Sequence, residues 1–344
     1  MSPGSARVGG MPTLVGTSCT VAADPPRWQA WGVDADAGRL MLLDAPSMYF
    51  RAFFGVPPLT APDGTPVNAV KGLLEFIAHL VTVRRPTHVV ACMDADWRPA
   101  WRVAAVPTYK THRVADGDAE IVPDPLSVQV PLICDALDAF GIAWVGVEGY
   151  EADDVIGTLA SRARRPVDVV TGDRDLFQTI DDQRDVRVLY IARGVGRHEV
   201  VDEAAITERY RIPGRAYADY ALLRGDPSDG LPGAVGIGEK TAATLISRYR
   251  TIRAVLDAAD DPGSDMAAAV RRRIVGSRDY LVAADPVVRV ATQLEVPPLD
   301  DALPSVPAHP AAVIDLADRL GLDATCNRVL AALAAAHAVR RATG

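Results

Sequence analysis

Short apolar runs at residues 40–43, 89–93, 142–147, 167–170 and 186–191 alternate along this chain with longer stretches of helical period. Runs of that length, largely apolar, suit strands covered on both faces. Strands of this kind alternating with helices predict an α/β fold, with a mostly parallel sheet flanked by helices. Four of the five runs lead into acid. Residues 40–43 run into Asp44, 89–93 into Asp94, and 167–170 into Asp173 and Asp175, while 142–147 precede Glu151, Asp153 and Asp154, which open a predicted helix over 155–163. Parallel strands share one carboxyl edge, and ligands bind in the crevice beyond it. The topology therefore gathers these acids in one place.

A single Asp after a strand is ordinary, because Asp suits turns and helix N-caps. Four strand ends behaving alike need a further reason. Two carboxylates about 4 Å apart repel by ~4 kcal/mol at an effective dielectric near 20, so a crowd of them requires bound cations or raised pKa values. Hard divalent cations with oxygen ligands, Mg²⁺ or Mn²⁺, are the natural occupants.

The chain has 344 residues, 49% of them hydrophobic, enough for a substantial core in one large domain or two unequal ones. Its net charge of -8 repels a polyanion on average, so local charge has to decide any nucleic-acid contact. Residues 84–113 carry six basic and two acidic side chains, a candidate phosphate-facing patch. Cys19, Cys92, Cys134 and Cys326 form no CxxC pair, which argues against a zinc ribbon or a disulfide framework and for a reducing, cytoplasmic setting. No run approaches the ~20 apolar residues of a membrane span. Residues 11–23 end in small residues as a signal peptide does, but Gly, Pro, Thr and Ser interrupt them and only Arg7 precedes them as a positive charge. Lysine occurs only at Lys71, Lys110 and Lys240 in an otherwise Arg-based chain.

Residues 1–38, rich in Gly, Pro, Ser and Ala, read as a disordered or loosely ordered extension, with Met11 as an alternative start. After about residue 205 the pattern becomes helix, acidic Gly/Pro-rich loop with Asp226 and Asp229, tight turn Gly236-Ile237-Gly238, and helix. The turn lacks side chains at two positions, so its N–H groups can approach a phosphate where the helix dipole also favours negative charge. Lys240 lies in the first helical turn, where acid is usually preferred, which points to an anionic ligand. Residues 296–310 read as a proline-rich connector, and 327–341 as a final helix packed on the fold.

These residues resemble the 5′ nucleases: flap endonucleases, the amino-terminal nuclease module of bacterial DNA polymerase I, and phage 5′ exonucleases. The resemblance runs in order through residues 42–51 with Asp44, 92–94 with Asp94, 107–113, 149–157, 171–176, 225–233 and 236–240, and spans roughly 40–285. It departs from the family pattern at Ala45, where Gly is usual, and at Gly230, where Asn is usual. Polymerase motifs are absent, so the chain resembles a stand-alone bacterial nuclease.

The resemblance implies a PIN-like nuclease core at 39–204 with a helical arch at about 97–125, a helix-three-turn-helix DNA-binding region at 205–290, and a carboxy-terminal helical extension at 291–344. It implies that Asp44, Asp94, Glu151, Asp153, Asp154, Asp173, Asp175, Asp226 and Asp229 hold two or three Mg²⁺ or Mn²⁺ ions, directly or through water. Lys110 and Arg113 then reach the scissile phosphate. Tyr109, Arg102 and Arg51 lie nearby on the DNA, and Gly236, Gly238 and Lys240 grip duplex with a K⁺ ion on the turn carbonyls. The implied partners are DNA as 5′ flaps, gapped or nicked duplex, and an RNA–DNA hybrid; the protein acts as a monomer, and a sliding clamp is compatible but not signalled.

Hydroxide attacking a phosphodiester brings two anions together. A pair of divalent ions lowers the pKa of a water and stabilises the leaving oxygen, so no nucleophilic Ser, Cys or His is required. Of the six histidines only His112 lies in a candidate site, and it reads as arch surface. Trp97 and Trp101 either cap the core or stack unpaired bases. The rival readings are a dehalogenase-type phosphatase using Asp94 and Asp96, a PIN-type ribonuclease, and a DNA-structure-binding protein without catalysis.

Overall fold

A computed structural model describes residues 38–114 and 122–343, with side chains to 338. The expected extension, up to residue 37, and residues 115–121 of the expected arch lie outside the described residues.

All five expected strands form: β1 (Leu40–Asp44), β2 (His88–Cys92), β3 (Ala143–Val145), β4 (Val167–Thr171) and β5 (Val186–Tyr190). They are parallel, in the order β3-β2-β1-β4-β5, and a sixth strand, β6 (Glu199–Val201), adds antiparallel to β5. Apolar periodicity misses β6 because it has three residues, two of them exposed. Every residue of β1 and β4 is buried, which is why both read as largely apolar runs, each with one acid. The chain leaves β1 for β2 and β3 and returns to β4 on the other side. That reversal opens a crevice between the carboxyl ends of β1 and β4.

The helices are, in order, α1 (Ala45–Gly55), α2 (Asn68–Arg84), α3 (Ala100–Ala105), α4 (Asp124–Ser127), α5 (Gln129–Phe140), α6 (Ala152–Arg162), α7 (Glu203–Tyr210), α8 (Tyr217–Arg224), α9 (Glu239–Tyr249), α10 (Ile252–Asp260), α11 (Ala268–Gly276), α12 (Arg278–Val288), α13 (Pro310–Leu320) and α14 (Asp323–Thr343). Met41, Leu43, Val89 and Ala91 turn to one face of the sheet, into a core shared with α1, α2, α5, α13 and α14. Leu40, Leu42, Val90 and Cys92 turn to the other, where α6 and residues of α8 to α12 complete a second core. The carboxy-terminal helices thus share the core of the sheet. The final helix, expected to pack on the fold, does so on α2, where Glu75 accepts hydrogen bonds from Thr325 Oγ1 (2.7 Å) and Arg328 Nε (2.7 Å).

The connector also has a fixed path. Val89 N–H donates to Asp301 O (2.8 Å) and Leu303 N–H to Thr87 O (2.8 Å), beside the start of β2, where the shorter β3 does not reach. The strand acid Asp168 is fully buried, accepting from Arg39 Nη1 (3.0 Å) and from Arg84 Nε (3.0 Å). Paired in this way, it is a structural ion and not part of the acidic edge.

Candidate active site

Asp44 is at once the last residue of β1 and the N-cap of α1. Its Oδ1 accepts the Ser47 N–H (3.1 Å) and its Oδ2 the Thr171 hydroxyl (2.6 Å), while Thr171 Oγ1 accepts the Asp173 N–H (2.8 Å). Gly172 N–H donates to Ser47 Oγ (2.9 Å). These bonds stitch the end of β1 to the end of β4 and hold Asp44 and Asp173 across the crevice. Asp94, just past β2, accepts the Ala152 N–H at the start of α6 (2.7 Å).

The side chains surround a cavity of about 500 Å³ lined by Asp44, Asp94, Glu151, Asp153, Asp173 and Asp226, together with Lys110, Arg113 and Arg174. Six carboxylates face three cations, and the imbalance appears in their protonation. Burial, then the charges of Asp173 and Asp94, push Asp44 up to about 7 in spite of its hydrogen bonds. Burial and then Glu151 push Asp94 up to about 6. Asp153 is driven well above the usual carboxylate range, first by burial and then by Asp44, Asp173 and Glu151. Asp175 is raised likewise, by burial and then by Asp173, Asp229 and Asp226. The charge of Asp173 acts on Asp44 and Asp153 and also on Asp175.

The donor set suits a hard divalent cation: the lining holds carboxylate oxygens and no His or Cys, and Asp175 Oδ1 is buried without a hydrogen-bond partner. Among the described residues no three such side chains close tightly around one point. The arrangement fits an ion that keeps part of its own water between itself and the acids, as Mg²⁺ does.

Four expectations need correction, those for Asp154, Arg102, Tyr109 and Asp229. Asp154 does not face the cavity: it is fully buried, its Oδ1 accepts from Arg102 Nη2 (2.8 Å) and from the Ala291 N–H (2.8 Å), and its Oδ2 accepts the Glu151 N–H (3.3 Å). Arg102 is not on a DNA-facing surface. It is 3% exposed, and its Nη1 lies 3.0 Å from Glu151 Oε1. Tyr109 is also 3% exposed, donating its hydroxyl to Glu151 Oε1 (2.8 Å). Both residues support Glu151 from behind.

Lys110 does reach the cavity, with Nζ 2.5 Å from Glu151 Oε2. Burial alone would lower its pKa, but Glu151, Tyr109, Asp229 and Asp94 outweigh that and raise it, so it stays charged. Its backbone is left-handed at φ 48°, a costly conformation for a residue with a side chain. Its N–H donates to Asp229 O (2.9 Å), and Arg113 Nη2 donates to Asp229 Oδ1 (2.8 Å). Asp229 therefore ties down the arch base and is not part of the cavity wall. Gly230, the departure from the family pattern, has its reason here: a Cβ would stand 2.1 Å from Thr108 O.

Arg51 lies on α1 with its guanidinium beside Gly172, and its Nε is buried without a partner. His112 is exposed, as expected of arch surface. Trp97 lines the cavity, whereas Trp101 donates Nε1–H to Gly149 O (3.2 Å). Gly236, Gly238 and Lys240 form an exposed turn and helix start away from the cavity. Sequence reading missed Ser47 and Thr171, which orient Asp44; the Asp-x-x-Ser spacing was the available N-cap signal. It also missed Arg209, Arg211 and Arg248, which line a groove with Lys240.

Residues 39–211 match the model of the 5′-3′ exonuclease N-terminal resolvase-like domain, and residues 212–309 that of the 5′-3′ exonuclease C-terminal SAM fold. The chain is 57% identical to a 5′-3′ exonuclease of Streptomyces coelicolor, covering 86% of this chain and 100% of that protein. It is 50% identical to a 5′-3′ exonuclease of Mycobacterium tuberculosis, with 86% and 97% covered. Among solved structures, the T5 5′-exonuclease with bound zinc superposes with a TM-score of 0.56 at 16% identity, over 86% of this chain and 99% of that one. Flap endonuclease-1 from Methanococcus jannaschii also gives 0.56, at 15% identity over 88% and 94%. With both models matched in sequence order and relatives covered almost end to end, the chain belongs to the 5′-3′ exonuclease family.

Proposed function

We propose that this protein hydrolyses DNA phosphodiester bonds as a 5′-3′ exonuclease and flap endonuclease in replication and repair, acting on 5′ flaps, gaps and nicks with Mg²⁺ or Mn²⁺ bound in the acid-lined crevice. The observation that carries the reading is the cavity itself: six carboxylates with a surplus of negative charge, and Lys110 at its wall. Solved structures of the same fold support it, one the T5 5′-exonuclease with zinc and another a T5 flap endonuclease with DNA and metal ions. Asp44, Asp94, Glu151 and Asp153 would hold one ion and Asp175 and Asp226 a second, with Asp173 between them. When bound, such ions supply an activated water and neutralise the leaving oxygen.

The chain's own residues do the rest. Lys110 exchanges Glu151 for a phosphoryl oxygen as the DNA enters, bringing a permanent positive charge to the phosphate where negative charge develops. Arg113 makes the same exchange from Asp229. Arg102 and Tyr109 keep Glu151 aimed at the cavity while Lys110 moves. Arg51, with a buried and unpartnered Nε beside the end of β4, is placed to receive a neighbouring phosphate. The ribonuclease reading loses ground because the carboxy-terminal match extends across residues 212–309, beyond a PIN core.

A 5′-labelled flap substrate tests the proposal. Mg²⁺ or Mn²⁺ should support release of short products, EDTA should stop it, and Asp153→Asn with Asp173→Asn should bind the flap without cutting it. Cleavage that persists in EDTA, or in that double variant, removes the proposal.

A further inference from the structure

Lys110, Arg113 and Arg174 line the acid cavity, and two of them are already committed. Lys110 is bound to Glu151 and Arg113 to Asp229. The Arg174 side chain is exposed and, among the described residues, makes no hydrogen bond or ion pair, although Asp173 and Asp175 flank it in sequence. Its backbone is fixed nonetheless. Asp173 Oδ1 accepts the Asp175 N–H (2.9 Å), and Arg174 O accepts the Phe177 N–H (2.9 Å).

An arginine stays charged throughout the working pH range, and the titratable groups that act most strongly on this one are Tyr217, Tyr210 and Tyr190, ahead of Asp226. Phe177 joins the three rings, at centroid distances of 5.1 Å to Tyr190, 5.3 Å to Tyr217 and 6.5 Å to Tyr210. Tyr190 lines the cavity, and Tyr210 lines the groove of Arg209, Arg211, Lys240 and Arg248. The aromatic wall beside Arg174 therefore joins cavity to groove. In that groove Arg209 is paired with Glu199 and Arg248 with Asp265, while Arg211 and Lys240 have no carboxylate partner among the described residues.

The strand order separates the cavity's cations. Asp94 follows β2 and accepts the Ala152 N–H, which puts Glu151 and its partner Lys110 on the β2 side of the crevice. Arg174 follows β4, and Tyr190 ends β5. Asp44, at the end of β1, stands between the two sides. A nucleic-acid strand laid along this edge meets Lys110 on one side of the acids and Arg174 on the other.

We propose that Arg174 is a positioning residue that binds a phosphate of the cleaved strand one or two linkages to the 3′ side of the scissile one, where that strand leaves the acids for the basic groove. The proposal rests on the nuclease reading and on duplex binding at the start of α9, since in a 5′ flap the duplex lies 3′ of the junction. Lys110 and Arg113 must each release a carboxylate to meet a phosphate, whereas the Arg174 fork is free to take two phosphoryl oxygens at once. Its main chain is tied to Asp173 and Asp175, so a phosphate held there fixes which bond lies over the acids.

The test is single-turnover cleavage of a 5′-labelled flap in Mg²⁺ at saturating enzyme, with each phosphodiester near the junction replaced in turn by a neutral methylphosphonate. The parent should slow about tenfold at a linkage one or two places to the 3′ side, the loss expected for one charge-assisted contact. Arg174→Met should slow by a similar factor on the unmodified flap and spread its products over neighbouring bonds. At the sensitive linkage it should be indifferent to the methylphosphonate within about twofold, and at the others it should respond as the parent does. Losses that add at every linkage overturn the proposal, as does coupling to a linkage on the 5′ side. So does a parental rate regained by Arg174→Met at higher Mg²⁺, which would make the residue a counter-charge to the acids. Should Arg174→Met fail to fold, Arg174→Gln carries the same cycle, and a parent indifferent to every 3′ methylphosphonate overturns the proposal without any variant. A parent that cuts no unmodified flap in Mg²⁺ or Mn²⁺ removes the nuclease reading itself, and the role of Arg174 with it.

Discussion

Removing divalent metal should make this protein less stable at pH 8 than at pH 5.5, the reverse of ordinary acid destabilisation. Asp44 ionises near 7 in the folded protein against 3.8 for a free side chain, and Asp94 near 6. Both folded-state values are raised, so between 3.8 and 7 the folded protein holds more protons than the unfolded chain, and stability falls as pH rises through that window. Integrated from pH 5.5 to 8, the loss is about 2 kcal/mol for Asp44 and about 1 kcal/mol for Asp94. For a protein of this size that lowers the melting temperature by about 3–6 °C. The assay is thermal unfolding at both pH values in EDTA, in Mg²⁺, and with Asp44→Asn and Asp94→Asn combined. Mg²⁺ should stabilise more at pH 8 than at pH 5.5, because below 7 it competes with protons for Asp44. The double variant in EDTA should lose most of the pH difference. A parent protein whose melting temperature in EDTA rises from pH 5.5 to 8 by as much as the variant's would refute the reasoning, since these acids would then not be crowded in the folded state.

Three further outcomes follow from the geometry. Arg102→Met leaves Glu151 and Asp154 buried without their shared cation and should cost about 3–5 kcal/mol of stability; an unchanged melt with weaker DNA binding would restore the DNA-contact role that the sequence suggested. Lys110→Met should slow single-turnover cleavage by about 10²-fold or more, with binding much less affected, and a rate within threefold of the parent would remove Lys110 from the chemistry. Gly230→Ala places a methyl against Thr108 O and strains a left-handed residue at φ +70°. It should reduce cleavage more than it lowers the melting temperature, because it lifts the arch base from the acidic loop; equal rates would show that this contact is not needed.

Strand positions were legible because burial on both faces makes a parallel strand largely apolar, and the edge acids stood out because they follow those runs at one end. β6 was not legible: a three-residue edge strand with two exposed positions has no apolar period to read. The connector hid its order for a similar reason, its pairing being a single bridge between His88 and Ala302. Among the acids, the sequence could not say which side chains face the crevice. Asp153 and Asp154 are adjacent at the start of α6 and point about 100° apart, so one faces the cavity and the other the carboxy-terminal segment at Ala291. The same limit applied to the short α3, where Arg102 reads as surface charge until the burial of Glu151 and Asp154 beneath it is known.

Glu151 shows why that hidden layer matters. Tyr109 and Lys110 donate to its carboxylate and Arg102 pairs with it at 3.0 Å, so three groups from the arch base converge on one acid at the cavity wall. Only Lys110 also lines the cavity. If Lys110 leaves for a phosphate, Glu151 keeps Tyr109 and Arg102, neither of which has an exposed route away, and its carboxylate stays aimed while one oxygen becomes free. Asp229 plays the same part on the other side, holding Arg113 by its side chain and the Lys110 N–H by its carbonyl. The strained left-handed backbone at Lys110 is tolerable because both ends of the residue are held, the N–H by the acidic loop and the ammonium by Glu151. Loss of the second hold on substrate entry leaves the first to keep the arch base on the acidic loop, so Lys110 is one of the residues that couple the carboxy-terminal region to the acid cluster.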